Sequence, residues 1–142
     1  MPAKQAHNPR THSRIRSDHA TELAEDYVEA IAEITAAKET CRAVDLARQF
    51  GVSHVTVNKA IGRLVRDGYA ETEPYGPVTL TAKGQKLARE AKSRHEIVLR
   101  FLIELGVSPN TARVDSEGIE HHVSSETLTA MKKFLSGRSS SE

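Results

Sequence analysis

Tryptophan is absent from this 142-residue sequence, and aromatic residues make up only 4% of it. Leu, Ile, Val and Ala must therefore build the core, and 38% hydrophobic residues suffice for one compact domain or two very small ones. Barrel enzymes and complete dinucleotide-binding folds need longer chains. The single cysteine, Cys41, excludes an internal disulfide framework and fits a reducing compartment. We therefore expect a cytoplasmic protein.

A long hydrophobic run is also lacking. The most apolar stretch, residues 97–107, is interrupted by Arg100 and Glu104, and it is shorter than the roughly 20 residues that a bilayer span requires. The basic N-terminal segment has no apolar core behind it, so it does not have the pattern of a secretory signal. We expect no membrane partner, a flexible arm over residues 1–19 and a flexible tail over residues 137–142.

A strong net charge is missing as well, because 20 Lys and Arg nearly balance 19 Asp and Glu and leave +1. The charges are nevertheless sorted along the chain. Residues 21–40 hold six acids and one lysine, whereas residues 41–68 hold five bases and two acids. Residues 82–104 hold six bases and three acids, and residues 115–126 hold four acids without Lys or Arg. Solvated helix faces would explain any one block, but the alternation indicates separate roles.

Hydrophobic periodicity predicts a mainly α-helical chain. A first helix is expected at about residues 20–36, a short second helix at 43–50 and a third ending near residue 67. Gly51 is placed to end the second helix, and Ser53 to cap the third.

Two short β-rich pieces follow, near residues 69–72 and 78–81, and the Pro- and Gly-rich joint between them predicts a hairpin. A long helix at about residues 82–105 and two shorter helices, starting near Pro109 and near Ser124 or Ser125, complete the pattern.

Helix, turn, helix and hairpin, in this order, predict a winged helix-turn-helix DNA-binding domain over residues 20–82. An all-helical domain over residues 83–136 follows it. The start of a reading helix enters the major groove, where Val55, Thr56 and Lys59 would reach base edges. A purely structural helical bundle is the alternative, which the basic charge of the segment disfavours. The candidate DNA-binding residues are Ser53, His54, Val55, Thr56, Lys59 and Arg63 of the reading helix and Tyr75 at the hairpin tip.

Acids and histidines recur at helical spacing in three segments. Asp26 and Glu29 are three residues apart, so they project within about 60° of each other, and the segment EGIEHH repeats this spacing. Neighbouring carboxylates repel unless a cation neutralises them, and oxygen and imidazole donors without thiolate favour Mn²⁺ or Fe²⁺. Taken alone, Asp26 and Glu29 could instead be charged residues on a solvent-exposed helix face. We interpret His122 as a residue at a helix end rather than as a metal ligand. The candidate metal ligands are Asp26, Glu29, His95, Glu117, Glu120 and His121.

With its elements in this order, the chain resembles the metal-dependent repressors of the diphtheria toxin repressor family, and most closely the manganese branch. The resemblance extends over about residues 20–136. It is carried by EDYVEAI (25–31), AVDLARQFGVSHVTVNKAIGRLVRDGY (43–69), LTAKG (80–84), RHEIVLRFL (94–102), LGVSP (105–109) and EGIEHHVS (117–124).

This resemblance implies that the six candidate ligands bind a closely spaced pair of Mn²⁺ ions in each subunit, with Glu29 and Glu120 bridging them. Iron-responsive relatives place methionine and cysteine at the positions of Asp26 and Glu120, so oxygen replaces sulfur here and favours Mn²⁺, with Fe²⁺ as a further candidate. The sequence ends soon after Leu135, so we expect no SH3-like domain.

The family is homodimeric, which implies an inverted-repeat operator in double-stranded DNA. The expected activity is Mn²⁺-activated repression of manganese uptake genes, with no organic cofactor and no enzymatic reaction. The apolar residues expected at the dimer interface are Ile119, Val123, Leu128, Met131, Phe134 and Leu135.

Two other classes of function are compatible with parts of the pattern. One is a winged-helix regulator that responds to Fe²⁺ or to a non-metal ligand. The other is a metal-dependent hydrolase, because paired metal ions can activate water. The hydrolase is disfavoured because the sequence offers no separate base, nucleophile or substrate pocket, and because the acidic cluster is joined to a DNA-reading unit.

Overall fold

The structure is a computed structural model that describes the backbone of residues 9–139 and the side chains of residues 21–138. Residues 1–8 of the predicted arm and 140–142 of the predicted tail lie outside this range. The first helix begins earlier than the predicted start near residue 20, and the last helix continues into the predicted tail. The elements are, in order, α1 (Pro9–Lys38), α2 (Ala43–Phe50), α3 (His54–Arg66), β1 (Ala70–Thr72), β2 (Val78–Leu80), α4 (Ala82–Glu104), α5 (Pro109–Ile119) and α6 (Ser125–Ser139).

The first core lies where α1, α2, α3 and the hairpin meet. Val28 and Ile31 of α1, Leu46 of α2 and Val57 of α3 are fully buried in it. Their spacing places the apolar side chains of each helix on one face, and removal of that surface from water stabilises the unit. The predicted winged helix-turn-helix arrangement is confirmed.

The turns follow the local signals in the sequence. Gly51 ends α2 in the left-handed conformation, with φ of 64°. Ser53 caps α3, because its hydroxyl oxygen accepts a hydrogen bond from the backbone N–H of Thr56 at 3.2 Å. Strands β1 and β2 pair antiparallel with Glu71 opposite Thr79, and β2 is tied to the rest of the domain because Val78 N donates to Cys41 O at 2.7 Å.

Helix α4 begins inside the DNA-binding domain. Thr81 caps it by accepting a hydrogen bond from Gly84 N at 3.1 Å, and the same hydroxyl donates to Gly68 O at 2.6 Å. Gly84 lies so close to the carbonyl oxygen of Tyr69 that a Cβ atom at position 84 would collide with that backbone. The contact explains why the motif LTAKG ends in glycine.

We expect Gly84→Ala to lower the free energy of unfolding by about 3 kcal/mol, because the added methyl group forces α4 away from the hairpin. Gly62→Ala is the matched control, since a Cβ at position 62 meets no atom within 4 Å and alanine favours the helix by about 1 kcal/mol. Urea titration followed by circular dichroism measures both changes. Equal stability of Gly84→Ala and the native chain would contradict the packing described.

The second domain is a thin layer in which α5 and α6 pack on α4. Val98 and Ala112 are fully buried, and Phe101 contacts Phe134 edge to face with ring centroids 5.4 Å apart. Leu135, predicted to lie at a dimer interface, is instead buried within this layer. Every helix in the described part of the chain is too short or too polar to span a bilayer.

Candidate metal centre and DNA-reading surface

Three segments bring the candidate ligands together between the two domains. Helix α1 supplies Asp26 and Glu29, and α4 supplies His95. The spacing of EGIEHH predicted that Glu120 and His121 lie on a helix. Helix α5 instead ends at Ile119, and both residues lie in the turn that follows it. The turn continues close to the helical path at Glu120, with φ of −57° and ψ of −31°. The side chain of Glu120 contacts His95 of α4, and that of His121 contacts α1.

The ligand atoms form two groups, and within each group they lie within 4.8 Å of one another. The first group is Glu22, Asp26 and His121. The second group is His95, Glu117 and Glu120.

His121 connects the two groups. Its Nε2 atom lies 3.4 Å from Asp26 Oδ1 and 3.4 Å from Glu120 Oε1. On the other side, Glu120 Oε2 lies 2.8 Å from His95 Nδ1. Five of the six predicted ligands therefore belong to one continuous cluster.

Glu29, the sixth predicted ligand, belongs to neither group. It lines the same depression of about 510 Å³, together with Asp26, His95, Glu117 and Glu120. The structure thus brings Glu29 to the cluster without joining its carboxylate to the other ligand atoms.

Sequence reasoning missed two acids of α1. Glu22 precedes Asp26 by four residues, so one turn of helix places both on the same face. Glu25 is only 4% exposed, and it hydrogen-bonds to Arg94 and His121. The spacing of four residues was a signal for Glu22, whereas the partners of Glu25 lie 69 and 96 positions away in the chain.

Burial shifts the pKa values of several side chains in the cluster. Desolvation is the main cause that raises the pKa values of Asp26 and Glu29 above their ordinary range. It also raises the pKa of Glu120 to about 7, against the lowering influence of His95 and His121. Burial lowers the pKa of His121, but the hydrogen bond to Glu25 and the charges of Asp26 and Glu120 outweigh it, so the net direction is upward.

The donor chemistry fits a hard divalent cation. The two groups offer carboxylate oxygens and imidazole nitrogens, and Cys41, the one thiol in the sequence, is buried in the core of the DNA-binding domain. Burial raises the pKa of that thiol to about 11, which keeps it protonated and poorly suited to bind a metal. Oxygen and imidazole donors suit Mn²⁺ and Fe²⁺.

The candidate DNA-binding side chains lie on the surface. All six that were predicted around the reading helix are exposed, while Val57, Ile61 and Leu64 on the opposite face of α3 are buried. Ser53 is engaged locally, because its hydroxyl lies 3.1 Å from Thr56 Oγ1 in addition to capping the helix.

Tyr75 occupies the tip of the hairpin and is fully exposed. Its backbone has φ of 61°, a left-handed conformation that is uncommon for residues other than glycine. Arg42 supports this conformation, because its Nη1 donates to the carbonyl oxygen of Tyr75 at 3.0 Å. Sequence reasoning missed Arg42, which lies 33 positions before its partner.

Two family models match successive parts of the chain. Residues 19–78 match the family model described as the iron dependent repressor, N-terminal DNA binding domain. Residues 81–140 match the model described as the iron dependent repressor, metal binding and dimerisation domain.

Among relatives, the transcriptional regulator MntR of Escherichia coli O157:H7 is 49% identical over 121 residues, which cover 85% of this chain and 78% of that protein. The HTH-type transcriptional regulator MntR of Lysinibacillus sphaericus is 39% identical over 104 residues, or 73% of this chain and 75% of that protein.

Among solved structures, a manganese-dependent transcriptional repressor in complex with manganese is 30% identical, with a TM-score of 0.69 over 80% of this chain and 52% of that one. The manganese regulator SloR is 26% identical, with a TM-score of 0.70 over 80% of this chain and 53% of that one. The chain thus spans about half the length of these solved relatives. On the identity and coverage of its sequence relatives, the chain belongs to the MntR regulators of the diphtheria toxin repressor family.

Proposed function

We propose that the chain is a manganese-responsive transcriptional repressor that binds an inverted-repeat DNA operator as a homodimer in the cytoplasm and represses manganese uptake genes. The observation that carries the proposal is the position of the cluster. Its carboxylates and imidazoles come from α1, which is part of the DNA-binding domain, and from α4 and the turn after α5, which belong to the helical domain. The family membership supports the same conclusion.

The proposed ligands are the six predicted from the sequence together with Glu22. Glu22, Asp26 and His121 would hold one ion, and His95, Glu117 and Glu120 the other. Glu29 lines the depression beside them. Two ions in each subunit is the number that two groups of ligand atoms suggest.

The coupling to DNA follows from repulsion between the carboxylates. A bound Mn²⁺ pair would add positive charge between the carboxylates of this cluster. Without that charge, Asp26 of α1 and Glu117 of α5 repel each other across the domain boundary, and Glu117 also repels Glu120 beside it. With the ions bound, the same side chains would hold α1 against the turn after α5, and the reading helix packed on α1 would keep a fixed position relative to the helical domain. A ligand favours the state that it binds better. In this proposal, the state that Mn²⁺ favours is also the one that binds DNA more tightly.

Operator binding with and without Mn²⁺ tests the proposal. A duplex selected from a random pool in the presence of Mn²⁺ should contain an inverted repeat. Its affinity, measured by gel shift, should rise at least about tenfold when Mn²⁺ replaces a chelator, within the usual range of coupling between two sites. Equal affinity in both conditions would remove the metal switch and favour a regulator with a non-metal ligand. A response to Fe²⁺ under anaerobic conditions at lower concentration than to Mn²⁺ would assign the switch to iron.

Lys59 provides the test of the reading helix. We expect Lys59→Ala to reduce discrimination between the selected duplex and a duplex with substituted half-sites by about 1–3 kcal/mol, because one contact to a base edge is lost. Lys86→Ala removes the same charge from an exposed position on α4 and should leave discrimination unchanged. Competition gel shifts measure the ratio. A native ratio in Lys59→Ala would show that α3 reads the sequence by other side chains.

A further inference from the structure

Glu25 is a buried carboxylate whose two oxygens are both occupied. Oε1 accepts a hydrogen bond from Arg94 Nη1 at 3.0 Å, and Oε2 lies 2.9 Å from His121 Nδ1. The side chain is 5% exposed, and burial of a charged group without such partners would be strongly unfavourable. Both carboxylate oxygens of Glu25 are therefore used in these two contacts. Glu25 is also much more buried than Asp26, whose side chain is 37% exposed.

The contact to Glu25 determines which nitrogen of His121 faces the ligand groups. With Nδ1 directed at a carboxylate, the ring carries its proton there and leaves the lone pair on Nε2. Nε2 is the atom that lies 3.4 Å from Asp26 and from Glu120. Because the imidazole is only 4% exposed, the surrounding side chains also hinder rotation of the ring.

Arg94 completes the arrangement from the other domain. It lies on α4 directly before His95, and its side chain is 24% exposed. Its fixed positive charge lies against Glu25 through the hydrogen bond from Nη1 to Oε1 and compensates a negative charge that would otherwise add to those of the ligand groups.

We propose that Arg94 and Glu25 are positioning residues that hold His121 in the tautomer and orientation needed to bind the metal through Nε2. This inference rests on the proposed function, since it requires that the cluster binds a metal. Outer partners of ligating histidines commonly change metal affinity by about 10- to 100-fold when they are removed. Glu25 thus contributes to affinity without contacting the ion.

The test compares Mn²⁺ binding by the native chain with that by Glu25→Ala, Glu25→Gln and the control Glu90→Gln. Glu90 is an exposed acid on α4, so its substitution removes one negative charge away from the cluster. Affinity is measured by titration of free Mn²⁺, and the imidazole ligands by the nitrogen couplings of bound Mn²⁺ in pulsed electron paramagnetic resonance. Circular dichroism of each apo variant checks the fold.

We expect Glu25→Ala to bind Mn²⁺ about 10- to 100-fold more weakly and to weaken the nitrogen coupling of one imidazole. Glu25→Gln keeps an acceptor for Nδ1 and should retain the coupling, with an intermediate affinity. Native affinity and native couplings in Glu25→Ala would overturn the inference, whereas failure of the native chain to bind Mn²⁺ would overturn the proposed function instead. If Glu25→Ala does not fold, Arg94→Gln decides, because unchanged affinity there would exclude a positioning role for the pair.

Discussion

Replacement of Glu120 with glutamine should weaken Mn²⁺ binding by more than about 100-fold, since Glu120 is a proposed ligand and loss of a ligand exceeds the effect of losing an outer partner. Glu120 is 5% exposed, and its two oxygens face His95 at 2.8 Å and His121 at 3.4 Å. The amide has almost the same shape but lacks the charge that a divalent cation requires. Operator affinity should consequently become equal with Mn²⁺ and with chelator.

Glu126→Gln is the control for this result, because Glu126 is an exposed acid in the first turn of α6. It should keep the native response to Mn²⁺ in the same gel shift. Burial raises the pKa of Glu120, so the neutral amide should also make the apo protein more stable at pH 8 than the native chain. A native Mn²⁺ response in Glu120→Gln would show that the second ligand group is not part of the switch.

Mn²⁺ affinity should fall about 10- to 100-fold between pH 8 and pH 6, because a metal must displace protons from its ligands. Glu120 has a pKa of about 7, and the pKa of His121 is raised above its ordinary value, so both groups gain protons across this interval. Calorimetry in two buffers of different ionisation enthalpy should therefore detect proton release on Mn²⁺ binding. An affinity independent of pH would contradict the assignment of these two ligands.

Stability of the apo protein should follow the opposite trend. For Glu120 and His121, the pKa in the folded protein lies above the ordinary value. Their contributions to stability are fully present below the unfolded pKa and are lost as the pH rises through the folded pKa. Thermal unfolding of the apo protein should thus occur at a lower temperature at pH 8 than at pH 6, and Mn²⁺ should stabilise most at pH 8.

Local signals predicted most of the fold correctly, because capping residues and apolar periodicity act within a few positions of the chain. Ser53 and Gly51 are examples, since each sets a helix end through its own conformation or hydroxyl group. The predicted end of α5 was wrong by about one turn. The EGIEHH pattern continues the helical spacing beyond Ile119, but the helix ends at that residue.

The roles that the sequence did not reveal depend on partners that are distant in the chain. Glu25 and Asp26 are adjacent acids with similar chemistry, and only the fold places one against Arg94 and the other among candidate ligand atoms. Arg42 and Tyr75 likewise meet because α2 begins beside the hairpin tip. Spacing along a helix identifies which side chains share a face, but it does not specify what lies opposite that face.

Helix α4 runs without a break from the first domain into the second. Its 23 residues make a rod about 34 Å long that starts against Tyr69 in one domain and ends in the other. Tilting such a rod by about 5° displaces its far end by about 3 Å, which is close to the rise of about 3.4 Å per base pair along the axis of B-DNA. Contacts near the middle of the rod, at Arg94 and His95, would move by about half as much, about 1.5 Å, which is the size of a helix shift in allosteric transitions.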